Sequence, residues 1–478
     1  MLPPLFVQKV DQTIKRHRMA RPGDRILAAV SGGIDSVCMA RTLEALGYEL
    51  GLAHINHGLR GTDSELDEEF VRRLAESLGV PFFGRRIEPA ELVGNQEEAG
   101  RMIRREFLRV TMRREGFERV ALAHTANDRN ETFMLHLVRG SGTGGLTSMT
   151  PVGPWFLRPL VETSRAQIEA AMAAIRQTWR TDVTNHDVRF SRNRMRLEVL
   201  PALAAGFNPR LGETLARTIE ILSAENDWME EEAGAWVQAH RITPDLPLAA
   251  GRGTETTSIA IGELPSRHVA FQRRAIRAIL RVGGSDLRNF TFTHLEQVRT
   301  LLAPGKSGRV IQLPGRLEVE RSFDHLRVRP SLANIPDYEY ELPIPGRIRV
   351  EEAGIEVEAQ VLDPDHRGAG ASANQVRLDG ESIGPYVKIR NWKNGDTYDP
   401  AGLPRSKLKA LFQERRIPRS LRCRWPVFVA QSSIVWVASF PVSHDFVPTE
   451  RSRRIIQLEA CPVRTGSIVR KPFADQGV

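Results

Sequence analysis

The sequence predicts a doubly wound, parallel-sheet α/β domain, then a small, mainly helical domain and a mixed α/β C-terminal domain. Three observations carry this expectation. Strand-like and helix-like segments alternate through residues 1–207, the pattern that lays helices on both faces of a parallel sheet. A string of small residues, SGGIDS at 31–36, falls where the first apolar strand gives way to a helix. The chain has 478 residues, more than one hydrophobic core normally supports, so two or three domains are expected. The boundaries are placed at 1–207, 208–335 and 336–478.

The first strand is the apolar run 26–30, suited to burial on both faces. A helix follows at 37–46, where Val37, Ala40, Leu43 and Leu46 keep helical spacing. Further strands are expected at 50–55, 80–87, 119–123 and 156–161, with helices at 63–78 and 98–115 among them. In the last of these helices Ile103, Phe107 and Val110 form the apolar face. Arg101, Arg105, Arg109 and Arg113 fall four apart, a basic stripe on its outer side. Residues 209–237 are helical and acidic, 251–258 read as a loop, and 266–280 as another helix. With a short sheet, these make a middle domain that ends near 334–337. Strand-like runs at 347–350, 375–378 and 387–389, a Gly/Ala-rich loop at 366–374 and a helix near 406–414 make up the rest.

Composition is that of a globular protein, 41% apolar and 26% charged. No run of about eighteen apolar residues occurs, and MLPPLFVQKVDQTIKRHR has no signal-type apolar core. Cys38, Cys423 and Cys461 form no CxxC pair. A reducing, cytoplasmic protein without a membrane partner is expected. The net charge of +9 is uneven: residues 388–424 hold eleven Lys/Arg against three acids. Other basic clusters lie at Lys15, Arg16 and Arg18, at 189–196, and at 451–454. One such cluster is ordinarily a solvated face. Several together point to a large polyanion, a nucleic acid.

At a strand-to-helix turn the first helical N–H groups are unpaired, which suits an anion, and glycine lets that backbone approach phosphate oxygens. Ser31 and Ser36 can add hydroxyl donors, and Asp35 could hold a magnesium ion bridging phosphates. Gly-Gly alone reads equally as a plain tight turn. The string is not a Walker loop: Gly305-Lys306-Ser307 ends like one, but Thr300 stands where its first glycine is needed. SGGIDS resembles instead the PP-loop of the ATP pyrophosphatase superfamily, whose enzymes cleave ATP between its α and β phosphates and transfer AMP to a carbonyl-type oxygen.

Two further strand ends carry chemistry. HINHGLR (54–60) holds a histidine pair that could bind metal, though no third ligand is implied and structural histidines are commoner. HTANDRNET (124–132) opens a helix on which Asp128 and Glu131 share a face beside His124. Either carboxylate alone is explained by the helix dipole. RGSGTGGL (139–146) reads as a flexible segment able to close over a ligand. Since ligands of such sheets bind beyond the strands' carboxyl ends, these pieces are expected in one crevice.

In this order and spacing the four motifs resemble the bacterial tRNA(Ile)-lysidine synthases. Arg158-Pro159-Leu160, residues 182–185 leading to Arg192-Asn193-Arg194-Met195-Arg196, and Asn394-Gly395-Asp396 with 406–409 and Ile417-Pro418 extend the resemblance to both ends. Asn127 and Arg129 stand where many members have Asp and Gln, and Met195 where Ile is usual; Asp128 and Glu131 are retained. The resemblance implies a catalytic domain, a middle domain and a C-terminal tRNA-binding domain, with room for a homodimer. It implies ATP and Mg2+, with Ser31, Gly32, Gly33, Ile34, Asp35, Ser36 and His57 at the nucleotide. The partners it implies are L-lysine and the isoleucine tRNA with a CAU anticodon. The wobble cytidine would be adenylated at its C2 oxygen, and the lysine ε-amine would displace AMP, so that AUA is decoded in place of AUG. At pH 7 only about one lysine amine in some thousands is neutral, so a carboxylate must orient it and accept its proton. Asp128 is expected as that base, Glu131 as holding the amine, and His124 as a contact to phosphate or intermediate. Arg192 and Arg194, with Lys407 and Lys409, are expected at phosphate or tRNA. A PP-loop tRNA thiolase, which would need reactive cysteines, is the nearest alternative. A small-molecule PP-loop ligase and a tRNA-binding module with a degenerate nucleotide site stand behind it.

Overall fold

The apolar run at 26–30 becomes the middle strand of a five-stranded parallel sheet. The structure, a computed structural model, describes residues 1–56, 58, 61–91, 94, 96–180, 188–242, 256–285, 287–331, 336–363 and 374–463. Two compact units divide the chain, Met1–Trp228 and Met229–Val478.

In the first unit α1 (Pro4–Arg16), β1 (Arg25–Ala29), α2 (Ile34–Ala45), β2 (Glu49–Asn56), α3 (Thr62–Leu78) and β3 (Phe82–Arg86) lead to α4 (Gln96–Arg114). After it come β4 (Arg119–Ala121), α5 (Ala126–Val138), a short α6 (Thr143–Leu146), β5 (Phe156–Leu157) and α7 (Arg165–Ala174). The strand order is β3-β2-β1-β4-β5, with every pair parallel. Alternate side chains divide the two faces. Ile26, Ala28 and Leu52 pack under α1, α2, α3 and α7 through Ile14, Val37, Leu43, Val71 and Ile168. Leu27, Ala53 and Val120 pack on the other face under Leu108 and Met112 of α4. The chain reverses direction across the sheet between β1 and β4, where such folds hold their ligands.

Three strands, β3, β4 and β5, are shorter than expected, and two of them, β3 and β5, lie beside a proline. Pro81 lacks an N–H and gives only its carbonyl to Leu52, so β3 starts after it. Pro159 ends β5, and the chain turns there through Val161 N–H to Arg158 O and Thr163 N–H to Leu160 O. Beyond α7, α8 (Ser191–Arg194), a π-helical turn (Met195–Val199) and α9 (Leu200–Gly206) precede α10 (Leu211–Ala239).

The second unit opens with β6 (Arg241–Ile242), β7 (Thr257–Ala260), α11 (Val269–Val282), α12 (Phe292–Thr300), β8 (Val310–Leu313), β9 (Leu317–Ser322) and β10 (His325–Pro330). The strands form one antiparallel sheet, β6-β7-β10-β9-β8, on which α11 and α12 bury Ile276, Ile279, Leu295 and Val298. This sheet is larger than its sequence signals. Strands β9 (LEVERS) and β10 (HLRVRP) look like surface, yet Glu318, Glu320, Arg327 and Arg329 are all buried, with Arg329 2.9 Å from Glu318. Residues 257–258 of the loop expected at 251–258 belong to β7, while 251–255 and 366–373 lie outside the described residues.

The C-terminal part contains β11 (Glu339–Pro343), β12 (Gly346–Val350), β13 (Ile355–Leu362), β14 (Gln375–Asp379), β15 (Tyr386–Asn391), β16 (Thr397–Tyr398) and β17 (Ser406–Lys407). It continues with α13 (Leu408–Glu414), α14 (Arg419–Arg422), β18 (Pro426–Ala430), β19 (Ser433–Val437) and β20 (Ile455–Pro462). Two four-stranded sheets, β11-β15-β18-β19 and β12-β13-β20-β14, share a core that includes Leu342, Val357, Ile389, Phe428, Trp436 and Leu458. Among the described residues no helix is long and apolar enough to cross a membrane.

Within this unit α14 reaches the charged strands. Ser420 Oγ donates to Glu320 Oε2 at 2.5 Å and accepts from Arg327 Nη1 at 3.3 Å. The buried Glu320 thus has its direct hydrogen-bond donor on another sheet's helix. Ser420→Ala should lower the unfolding free energy by about 1–3 kcal/mol, the cost of leaving a buried acceptor short of a donor. Urea denaturation measures it; a loss below about 0.5 kcal/mol would mean that the contact does not join the two parts.

Candidate active site

The SGGIDS loop connects β1 to α2. Gly32 has φ +92°, open to glycine and strained for other residues, and its carbonyl accepts from Arg180 N at 2.9 Å. Ser36 braces the turn: its hydroxyl donates to Gly33 O at 2.8 Å and accepts from Ser31 N at 3.2 Å. Gly33 caps α2 without any side-chain hydrogen bond to the first turn. Ile34 and Ser36 are buried within the turn, while Ser31 is exposed at its mouth. The leading N–H groups of α2 are therefore left for an anion. Asp35, in that first turn, accepts at Oδ2 from Arg165 Nη1 at 2.6 Å, while its buried Oδ1 has no hydrogen-bond partner among the described residues. Burial raises the Asp35 carboxyl above its ordinary range, Arg165 opposes this, and the nearby Asp128 adds to it. A carboxylate with one buried oxygen free suits a divalent cation carrying its own water and phosphate ligands.

Sheet register brings the second motif alongside. Ala28 pairs with Ala121, so Ser31 and His124 each lie three residues past a paired position on adjacent strands. Thr125 caps α5 in a reciprocal box: Asp128 N–H donates to Thr125 Oγ1, and Asp128 Oδ2 accepts from Thr125 N and Oγ1 at 2.8 and 2.9 Å. Asp128 Oδ1 accepts from Arg192 Nη2 at 2.9 Å and Arg196 Nη2 at 3.4 Å. Glu131, one turn on and fully buried, accepts from Arg196 Nε at 2.6 Å and from Arg192 Nε and Arg196 Nη2 at 3.0 Å. Two carboxylates and two guanidinium groups thus close into a single cluster. Burial alone would raise the Asp128 carboxyl, but Arg192, the Thr125 amide and His124 outweigh it and hold it below the usual carboxylate range.

His124 is pushed down to about 4, first by burial and then by Arg158. Arg158 Nε donates to His124 Nδ1 at 2.9 Å, which leaves the ring neutral with its proton on Nε2, a hydrogen-bond donor. Next to the cluster, Asn127, Asn130, Glu131 and Arg196 open onto a cleft of about 220 Å³ whose other walls include Leu200, Pro201, Leu211 and Leu215.

Sequence reasoning missed Arg196, Arg165 and Arg158. The first was within reach: residues 192 and 196 are four apart and share a helical face, whereas 194 lies on the other. Arg194 is accordingly exposed and paired with Glu198 at 3.2 Å, away from the carboxylates. Arg158 directly follows β5 and Arg165 opens α7, positions that only the fold brings near. His54 is a core residue whose Nδ1 meets Val30 O at 2.8 Å. His57, with Leu59, Arg60 and residues 182–185, lies outside the described residues. The glycine-rich 139–146 forms a fixed turn, with His136 Nδ1 against Gly145 O and Ser148 Oγ donating to Arg129 O, both at 2.6 Å. A Cβ on Gly145 would sit 2.6 Å from Ser141 Cβ, so close approach is what glycine provides there. Cys38 is buried and its thiol is pushed up to about 12 by that burial, which makes it a core residue and no nucleophile.

In the basic C-terminal stretch part of the charge is neutralised internally. Arg390 grips Asp396 with two 2.9 Å bonds, Lys388 meets Glu339, and Arg416 meets Asp324. Lys407 sits in β17 as the residue capping α13, and Lys409 is on that helix's outer side; both are exposed, and neither has a carboxylate partner among the described residues.

A parallel sheet with an anion-ready loop at its switch point and acid–arginine chemistry beside it defines a PP-loop protein, and the family model described as PP-loop domain matches residues 4–203. Models described as TilS substrate binding domain and TilS substrate C-terminal domain match 260–327 and 387–458. A tRNA(Ile)-lysidine synthase of Solibacter usitatus is 36% identical over 93% of this chain and all of that protein. The Geobacter sulfurreducens enzyme of the same name is 33% identical over 90% and 92%, and that of Caldanaerobacter subterraneus 30% over 95% and 97%. The chain belongs to the tRNA(Ile)-lysidine synthase family, ATP-dependent ligases built on a PP-loop domain.

The neutral state of His124 is open to measurement. Its pKa is near 4 in the folded chain and about 6.5 when unfolded, so its contribution to stability is complete above about pH 6.5. That contribution falls away as pH drops through about 4. The melting temperature of the wild type should therefore fall more between pH 7 and pH 4 than that of His124→Asn. Parallel falls would show that the ring takes up its proton equally in both states.

Proposed function

We propose that this protein ligates L-lysine to C2 of the wobble cytidine in the CAU anticodon of an isoleucine tRNA, using ATP through an adenylated tRNA intermediate. The product, lysidine, would change decoding from AUG to AUA and amino-acid identity from methionine to isoleucine. The observation that carries this reading is the Asp128–Glu131–Arg192–Arg196 cluster beside the uncapped phosphate loop, in a chain 93% of which matches a relative named for that activity. The division into catalytic, middle and C-terminal parts at 1–207, 208–335 and 336–478 belongs to the same proposal, as does action in the cytoplasm, where tRNA is modified.

Residues 31–36 receive the ATP phosphates through the free N–H groups at the start of α2. Asp35 would hold Mg2+ through its unpartnered Oδ1, and the ion would supply charge neutralisation between phosphates. Arg192 and Arg196 lie where negative charge builds up at the α-phosphate, already oriented by their carboxylates. The His124 Nε2–H donates to phosphate or to the activated base. The 220 Å³ cleft beside the cluster, apolar on one side, suits the aliphatic stem of a lysine side chain.

Asp128 is held ionised, so it attracts the incoming ammonium and orients it. The ammonium first gives one proton to solvent, since only the neutral amine has the electron pair that forms the C–N bond. A weak base then suffices for the second proton, because the nitrogen becomes strongly acidic once that bond forms and AMP departs. Lys407 and Lys409 present exposed charge for tRNA phosphates.

The test separates the two steps. Asp128→Asn keeps the side chain's shape and removes its charge. It should lower the rate of lysine transfer about 10²-fold or more while adenylated tRNA still forms and can be trapped. Equal loss of both steps in a quench-flow assay with labelled ATP would assign Asp128 to nucleotide binding instead.

A further inference from the structure

The basic stripe of α4 is more than a solvated face. Helix α4 leaves β3 at the carboxyl edge of the sheet, so its N-terminal half lies beside the site; Leu108 and Met112 anchor its later turns to the sheet. The stripe is therefore divided. Arg109 and Arg113 sit towards the far end, and Arg109 has Glu106 3.8 Å away. Arg101 and Arg105, joined by Arg104, belong to the end beside His124.

There they meet Arg158. Its guanidinium donates to His124 Nδ1 and to Thr150 O and lies 4.4 Å above the Phe156 ring. The Arg105 guanidinium is 5.9 Å from the Trp155 ring centre. None of Arg101, Arg104, Arg105 or Arg158 has a carboxylate partner among the described residues, although elsewhere in this unit arginines pair widely. The four act on one another instead. Arg158 is pulled down to about 10 by burial and then by Arg101 and Arg105, and Arg104 is lowered by burial and then by Arg101. Arg105 and Arg158 lie against the adjoining rings of Trp155 and Phe156, and like charges gathered in one place with no carboxylate between them are unfavourable in the free protein. An anion would relieve that repulsion.

We infer that Arg101, Arg104, Arg105 and Arg158 form a second phosphate subsite, which takes a backbone phosphodiester of the nucleic-acid substrate next to the reacting nucleotide. This rests on the proposed function and adds to it the place where the RNA strand lies. The ATP phosphates have their own cradle at α2, which packs on the opposite face of the sheet from α4. His124 stands between the two, so the reacting base would enter with nucleotide phosphate on one side and its own backbone on the other. Trp155, half-buried beside Arg105, offers an aromatic surface for an adjoining base.

The experiment uses the full chain with Arg101→Gln and Arg105→Gln combined, and Arg105→Lys as the charge-keeping control. Binding of unmodified tRNA and the Michaelis constants for tRNA and ATP are measured over a salt series. The double variant should weaken tRNA binding about 10-fold or more and flatten its salt slope by roughly 1.4, about 0.7 for each lost single-strand contact, with the ATP constant unchanged. Arg105→Lys should keep the slope. The double variant should also melt no lower than the wild type at low salt, since it removes repulsion; a merely structural role predicts a lower melting point. Unchanged tRNA affinity and slope would overturn the inference, and a raised ATP constant with normal tRNA binding would give the subsite to the pyrophosphate of ATP. Wild-type turnover tests the function separately: if the wild type binds tRNA through this slope but makes no lysidine, the functional reading fails and the subsite stands.

Discussion

Glu131 is an ionisable group with no exposure, placed one turn into a helix at the centre of the active crevice. A buried carboxylate is tolerated only if it is paired and hydrogen-bonded. Arg192 and Arg196 meet that requirement, and the rest of the site follows from how they do it. Because they are four residues apart on one helical stretch, both can turn towards α5, and both reach past Glu131 to Asp128. The segment 191–206 is thereby fastened against α5, and its Leu200 and Pro201 become walls of the cleft. Such a cluster adds little net stability, since desolvation offsets much of the attraction. What it provides is fixed charge in fixed positions.

That fixed charge separates the functions of neighbouring groups. Asp128 stays ionised beside its arginines, whereas Asp35, paired with a single arginine and left with a buried free oxygen, has its carboxyl raised. His124 is kept neutral by burial and then by Arg158, and becomes a donor. The carboxylates are balanced by Arg165, Arg192 and Arg196, while the arginines around Arg158 have no carboxylate partner among the described residues. The charge left over, on the arginines, is opposite in sign to the phosphate that the proposed reaction brings along α4.

Much of this was legible in the chain. The alternation of apolar runs located all five strands of the first sheet, because a doubly covered parallel sheet leaves an unbroken apolar signature, and the two prolines explain where β3 and β5 were overestimated. SGGIDS and HTANDRNET stood out because a strand-to-helix turn needs small residues and a capping box needs Thr125 and Asp128 at fixed spacing. The partners of those motifs were harder to see. Arg158 and Arg165 follow β5, and only the order β1-β4-β5 brings them to residues far away in sequence. In the second unit the charged strands β9 and β10 concealed a buried sheet, since alternation cannot tell a solvated Glu320 from one that meets Arg327 and Ser420.

The central claim is that Asp128, Glu131, Arg192 and Arg196 act as one unit. A double-mutant cycle on kcat/KM for lysidine formation, with Glu131→Gln, Arg196→Gln and the two combined, measures this most directly. Coupling of about 1–3 kcal/mol is expected, with the double variant scarcely worse than the poorer single one. Losses that add to within about 0.5 kcal/mol would contradict it, for the two residues would then contribute independently.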